Sequence, residues 1–68
     1  MQLRAIFAKN LKLLRAGKGL SQEALADLAG IDRTYVSALE RERYSASLDT
    51  IETLARVLEV APHELLLP

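Results

Sequence analysis

The 68-residue chain has no cysteine, no tryptophan and only three aromatic residues, Phe7, Tyr35 and Tyr44. Without thiols there is neither a disulfide framework nor a thiolate metal site. His63 is the only histidine, and one imidazole cannot assemble a metal site by itself, so it is read as solvated. No apolar stretch approaches the roughly 20 residues of a membrane span, and the N-terminus shows no apolar core or cleavage signal of a leader. A soluble, cytoplasmic protein without a membrane partner is the expectation. No Gly-rich phosphate loop follows a strand and no Ser/His/acid constellation has a plausible geometry. Neither an enzyme nor a cofactor is expected. Net charge is also lacking: nine Lys/Arg balance nine Asp/Glu, which at first argues against a nucleic-acid partner.

Half of the residues are hydrophobic, enough for one core built from Leu, Ile, Val and Ala. The length allows one domain, residues 1–68. It buries only about 60% of its unfolded surface, so marginal stability is expected. The neutral total conceals an asymmetry. Residues 1–43 hold eight basic against five acidic residues, whereas residues 44–68 hold one against four. A basic half can still face phosphates, with modest non-specific binding and a shallow salt dependence.

No repeat, linker or alternating apolar run is present, and the periodicity predicts five helices in an all-α fold. Leu3, Phe7, Leu11 and Leu14 form the apolar stripe of a first helix over Leu3 to Ala16, stopped by Gly17 and Gly19. Ser21 is a good N-cap for a second helix, opened by Gln22 and Glu23 and ended at Gly30. Asp32 caps a third over Arg33 to Arg41, followed by a polar loop to Ser47. Ser47 caps a fourth, where Leu48, Ile51, Leu54, Ala55 and Leu58 make the buried stripe. Pro62 suits the first position of a short fifth helix ending in Leu65, Leu66 and Leu67.

The segment Gln22 to Arg41, QEALADLAGIDRTYVSALER, carries most of the functional information. Leu25, Ala26 and Ala29 share one helical face, Gly30 reverses the chain through positive φ, and Ile31 plugs the corner. Val36 and Leu39 then resume the apolar stripe. Ala26 leaves room for a close helix crossing. These are the parts of a helix-turn-helix, helices 2 and 3, whose second helix lies in the DNA major groove.

Over Leu11 to Leu65 the words GLSQEALADLAG, SLDTIETLARVLEV and HELL, with Arg15 and Glu40 between them, resemble the Cro/C1-type helix-turn-helix family, the xenobiotic-response-element-like regulators that include phage repressors. The stretch LADLAGIDRTYVSALERE is especially similar to the small controller proteins of restriction–modification systems. The resemblance implies a compact five-helix, lambda-repressor-like DNA-binding domain. It also implies a partly buried ion pair between Arg15 and Glu40, tying helix 1 to the end of helix 3. Gln22 lies in a helical first turn, where free N–H groups favour phosphate; the family places a phosphate-contacting glutamine at the matching position. A merely solvated Gln22 is the alternative.

Helix 3 turns Arg33, Thr34, Ser37 and Ala38 away from the Val36/Leu39 stripe. The Arg33 fork matches guanine O6 and N7. Thr34 offers a hydroxyl for phosphate or base and a methyl for thymine. Tyr35 either donates to a phosphate or packs its ring on helix 2. Arg43, with Arg41, is a candidate phosphate clamp; for Lys9 and Lys12 a solvated face is preferred. Two positions depart from the family pattern. Glu42 stands where relatives have glycine, so either it takes a left-handed conformation at about 1 kcal/mol or helix 3 runs on. Tyr44 stands where controllers commonly have arginine.

The resulting expectation is a transcriptional regulator that binds double-stranded DNA as a homodimer on a near-palindromic operator, with no small-molecule effector evident. The dimer seam is placed at Leu65, Leu66 and Leu67, unless those leucines seal the monomer. A phage or plasmid repressor, an antitoxin, or a helical protein-interaction module that uses Leu13 are the alternatives.

Overall fold

The computed structural model describes residues 2–68. It contains four α-helices, α1 (Leu3–Gly17), α2 (Gln22–Ala29), α3 (Arg33–Glu40) and α4 (Leu48–Leu58). The fifth expected helix is a single 3-10 segment, Pro62–Leu66. Five residues hold too few i→i+4 bonds to sustain an α-helix, and the turn tightens instead. The architecture is therefore all-α, with four helices and a terminal turn rather than five helices.

Three helix starts follow from their capping residues. The Ser21 hydroxyl accepts from the Ala24 N–H at 2.9 Å, Asp32 Oδ1 from the Thr34 N–H at 2.8 Å, and the Ser47 hydroxyl from the Thr50 N–H at 3.1 Å. Each satisfies a donor that the helix itself leaves unpaired.

The four helix ends share one geometry. At α1, Gly19 and Leu20 donate back to Ala16 and Arg15; at α2, Gly30 and Ile31 donate to Asp27 and Ala26. At α3, Glu42 and Arg43 donate to Leu39 and Ala38; at α4, Glu59 and Val60 donate to Arg56 and Ala55. This paired return, with one left-handed residue in its middle, is the Schellman motif. The left-handed residues are Gly19 (φ 70°), Gly30 (φ 70°), Glu42 (φ 62°) and Glu59 (φ 60°). Glu42 thus takes the strained conformation, and α3 stops at Glu40 instead of reaching Arg41. At α1, Gly17 is the last helical residue and Gly19 makes the turn.

The core comprises Phe7, Leu11, Leu25, Ala26, Val36, Leu39, Leu54, Ala55, Leu58 and Leu65. Every helix and the terminal turn contributes, so α1 is held against α3 and the 3-10 turn while α2 is held against α3 and α4. Asn10 on α1 adds a polar clasp, donating from Nδ2 to the carbonyls of Leu65 (3.0 Å) and Leu67 (2.7 Å). Leu48 departs from the expected stripe, being 83% exposed. It occupies the first turn of α4, beyond the neighbours that cover Leu54 and Leu58. Leu3, in the first turn of α1, is exposed for the same reason. Leu65 is fully buried in the core of its own chain, so it is removed from the expected dimer seam. Leu66 is half-buried against that core and Leu67 is exposed.

A candidate nucleic-acid interface

The turn between α2 and α3 is two residues, Ile31 and Asp32, beyond the Gly30 cap. Ile31 packs against the core and fixes the angle at which α3 leaves α2. On α3, Val36, Leu39 and Glu40 face inward. The opposite side opens into a concavity of about 480 Å³ lined by Arg33, Thr34, Ser37, Ala38, Arg41, Arg43 and Tyr44. Its three charged side chains are all arginines. Positions 33, 37 and 41 follow the four-residue spacing of one helical face, and Arg43 joins them because the left-handed turn at Glu42 folds the chain back.

Beneath this face lies a charged network. Arg15 Nε meets Glu40 Oε2 at 2.6 Å and Nη2 meets Oε1 at 3.0 Å, a two-pronged pairing. Arg15 Nη1 also donates to the Leu20 carbonyl at 2.8 Å. The Glu40 side chain is only 1% exposed and that of Arg15 16%. The hydrogen bonds it donates to Glu40 hold the Arg15 guanidinium still more firmly protonated than usual, against the opposing effect of burial. The pair implied by the family resemblance is present and joins the ends of α1 and α3.

The network reaches Gln22 as well. Its Nε2 donates to Glu40 Oε1 at 3.1 Å, which fixes the amide on the half-buried side of α2 and leaves its second hydrogen free. Gln22 does not line the arginine concavity, although Arg33, Thr34, Ser37 and Arg43 do. Tyr35 is half-buried and packed against the core. Lys9 and Lys12 line a separate groove with Ala5, Ala8, Leu13, Glu40 and Glu42, away from the arginine cluster.

Two features go beyond the sequence pattern. Tyr44, in the sequence only a departure from the family pattern, lines the concavity. Asp32, in the sequence only a helix cap, also accepts from the Thr34 hydroxyl at 2.6 Å. That hydrogen bond, followed by the one from the Thr34 N–H, holds the Asp32 carboxyl below its usual range. Arg4 adds a remote support, its Nε and Nη2 donating to the Ser45 hydroxyl at 3.0 and 2.8 Å, which anchors the loop after α3 to α1.

Comparison with known proteins agrees with this geometry. Residues 11–65 match the helix-turn-helix family model. The chain belongs to the helix-turn-helix family. A hypothetical transcription factor from Neisseria meningitidis is 54% identical over 66 residues, which are 97% of this chain and 62% of that protein. The chain thus spans less than two thirds of that relative's length. A crystal structure of the Neisseria factor superposes with a TM-score of 0.95, covering 98% of this chain and 77% of that one. The restriction–modification controller protein C.AhdI from Aeromonas hydrophila is 47% identical, with a TM-score of 0.88 over 91% of this chain and 94% of its own. A third match is the controller protein C.Esp1396I, crystallised as a tetramer with its natural 35 base-pair operator. It is 33% identical, with a TM-score of 0.83, over 90% of this chain and 80% of that one.

Proposed function

We propose that this chain is a sequence-specific, DNA-binding transcriptional regulator and not an enzyme. It acts in the cytoplasm as one domain and binds a near-palindromic operator as a homodimer. Among regulators, the restriction–modification controller type is favoured by the similarity to C.AhdI and C.Esp1396I. The observation that carries the reading is the concavity on α3, where three arginines line the wall together with Thr34 and Ser37. An electropositive groove on an exposed helix suits the acidic backbone of a duplex, and the Arg33 fork suits a guanine edge.

In this reading Arg33, Thr34 and Ser37 face bases, while Arg41, Arg43 and Gln22 face phosphates. Tyr35 acts from behind by holding α3 on the core. Tyr44, which lines the concavity, supplies an aromatic edge where controllers carry a charge, so Arg43 takes over that position's phosphate contact.

Dimerisation follows from area and spacing. One module of this size gives too little specific surface for a unique site. Two-fold-related copies on an operator present their recognition helices one helical turn apart, about 34–36 Å. The seam is assigned to Leu66 and Leu67, without Leu65. Among the described residues no helix is long and apolar enough to cross a membrane.

Selection of the purified protein against a randomised duplex pool tests the assignment. Enrichment of a motif with two-fold symmetry is expected, and no enriched motif would overturn it. Sedimentation of Leu67→Glu should show a monomer where the wild type is a dimer. A promoter carrying the selected motif then separates activation from repression.

A further inference from the structure

We infer that Asp32 sets the base preference of Thr34 by taking the only hydrogen of its hydroxyl, which makes Thr34 an acceptor-only reader of adenine or cytosine. The inference rests on α3 being the recognition helix. A threonine hydroxyl has one hydrogen and two lone pairs, and an ionised carboxylate only accepts. Across the 2.6 Å contact between Thr34 Oγ1 and Asp32 Oδ1 the proton direction is therefore fixed: Thr34 donates. The same oxygen receives the Thr34 N–H, so one carboxylate oxygen takes both the backbone and the hydroxyl hydrogen of Thr34 at the start of α3. Thr34 is exposed and lines the arginine concavity, so its hydroxyl has lone pairs alone to offer an incoming duplex.

Two consequences separate this reading from the usual versatility of threonine. Phosphate oxygens carry no hydrogen, so an acceptor-only hydroxyl gains nothing from them, and the phosphate role considered for Thr34 is disfavoured. In the major groove the available donors are adenine N6 and cytosine N4, whereas guanine and thymine turn only acceptors and a methyl outward. The next residue, Arg33, has the opposite polarity, with donors and no acceptor. The two neighbours thus make opposite demands on adjacent bases, guanine for Arg33 and adenine or cytosine for Thr34.

The test compares motifs selected from a randomised duplex pool by the wild type, Asp32→Gly and Thr34→Val, with a thermal melt of each variant. Glycine is a tolerated N-cap and valine keeps the shape of threonine, so both should fold. The wild-type motif should contain a position restricted to adenine or cytosine on one strand, by on the order of five- to tenfold. Asp32→Gly frees the hydrogen and should admit guanine and thymine at that position while sparing the rest of the motif. Thr34→Val should lose the preference at that same position. An Asp32→Gly motif that keeps the restriction would overturn the proposal. So would a Thr34→Val protein whose motif is unchanged and whose affinity falls equally on all sequences, since that is the mark of a phosphate contact. A wild type that selects no motif sinks the recognition-helix reading itself, a distinct failure visible before any variant is made.

Discussion

The ends of α2 and α3 are built alike and used differently. Both close with the same pair of backbone hydrogen bonds around a left-handed residue. After α2 that residue is Gly30, and the next side chain, Ile31, packs on the core. After α3 it is Glu42, and the next is Arg43, which turns outward into the arginine concavity. The ends of α1 and α4 follow the Ile31 pattern, with Leu20 and Val60 packed against the core. An apolar residue is the usual companion of this turn, so three of the four ends spend the position on stability. The α3 end gives up that apolar contact, and a backbone conformation suited to glycine, to deliver a guanidinium beside the exposed face of the helix.

This comparison can be broken most forcefully at the network that fixes the α3 end. Arg15→Ala strands Glu40, whose side chain is almost wholly buried, and loss of one partner of such a pair costs about 3–5 kcal/mol. For a domain this small the melting temperature should drop by roughly 15 °C or more, which thermal denaturation by circular dichroism would register. Arg33→Ala should leave it within a few degrees. An equal or reversed order would show that the pair does not anchor the helix.

Exchanging the two companions is the next largest test. Ile31→Arg forces a charge against the core edge and should destabilise by about 2 kcal/mol or more. Arg43→Ile should leave stability within about 0.5 kcal/mol while weakening binding to DNA of any sequence. Chemical denaturation paired with a binding assay separates the two effects.

The left-handed residues sharpen the comparison further. A Cβ at Gly30 would meet nothing within 4 Å, so Gly30→Ala is disfavoured through its φ alone, by about 1 kcal/mol. Glu42→Gly should gain a similar amount, roughly 4–8 °C in Tm, and should tighten DNA binding by removing an acidic side chain next to Arg43. Glu59→Gly gains less, because it forfeits the surface ion pair with Lys18, worth about 0–1 kcal/mol.

The smallest effect concerns acid. The Asp32 carboxyl is held below its ordinary range by Thr34. Its folded pKa therefore lies below its unfolded one, and the stabilisation is fully present above the usual carboxylate range. It is lost as pH falls through the depressed value. Melts of wild type and Asp32→Gly should differ at neutral pH and converge in strong acid; a constant gap would deny the linkage.

The helices were legible because stripe, cap and breaker agreed at each of them. Ser21, Asp32 and Ser47 marked their helix starts, and Gly30 marked its end. Periodicity said less at the margins: Leu48 and Leu3 have the right spacing but sit in first turns that nothing covers. Leu65, Leu66 and Leu67 could not be apportioned from sequence, since sealing a core and presenting a seam require the same side chains, and packing alone separates buried Leu65 from exposed Leu67. The outward face of α3 was readable from helical spacing. The links between Gln22 and Glu40 and between Asp32 and Thr34 were not, because a hydrogen bond depends on rotamers that sequence spacing does not specify.

The central claim is that Arg33 reads a base while Arg43, carried by the strained turn, holds a phosphate. The most direct measurement is the affinity of Arg33→Ala and Arg43→Ala for the selected duplex and for its single-base variants across a salt series. Arg33→Ala should lose roughly 10- to 100-fold and relax preference at one position. Arg43→Ala should weaken all sequences alike and reduce the slope of log K against log salt by about 1. Unchanged affinity in both, in folded proteins, would contradict the account.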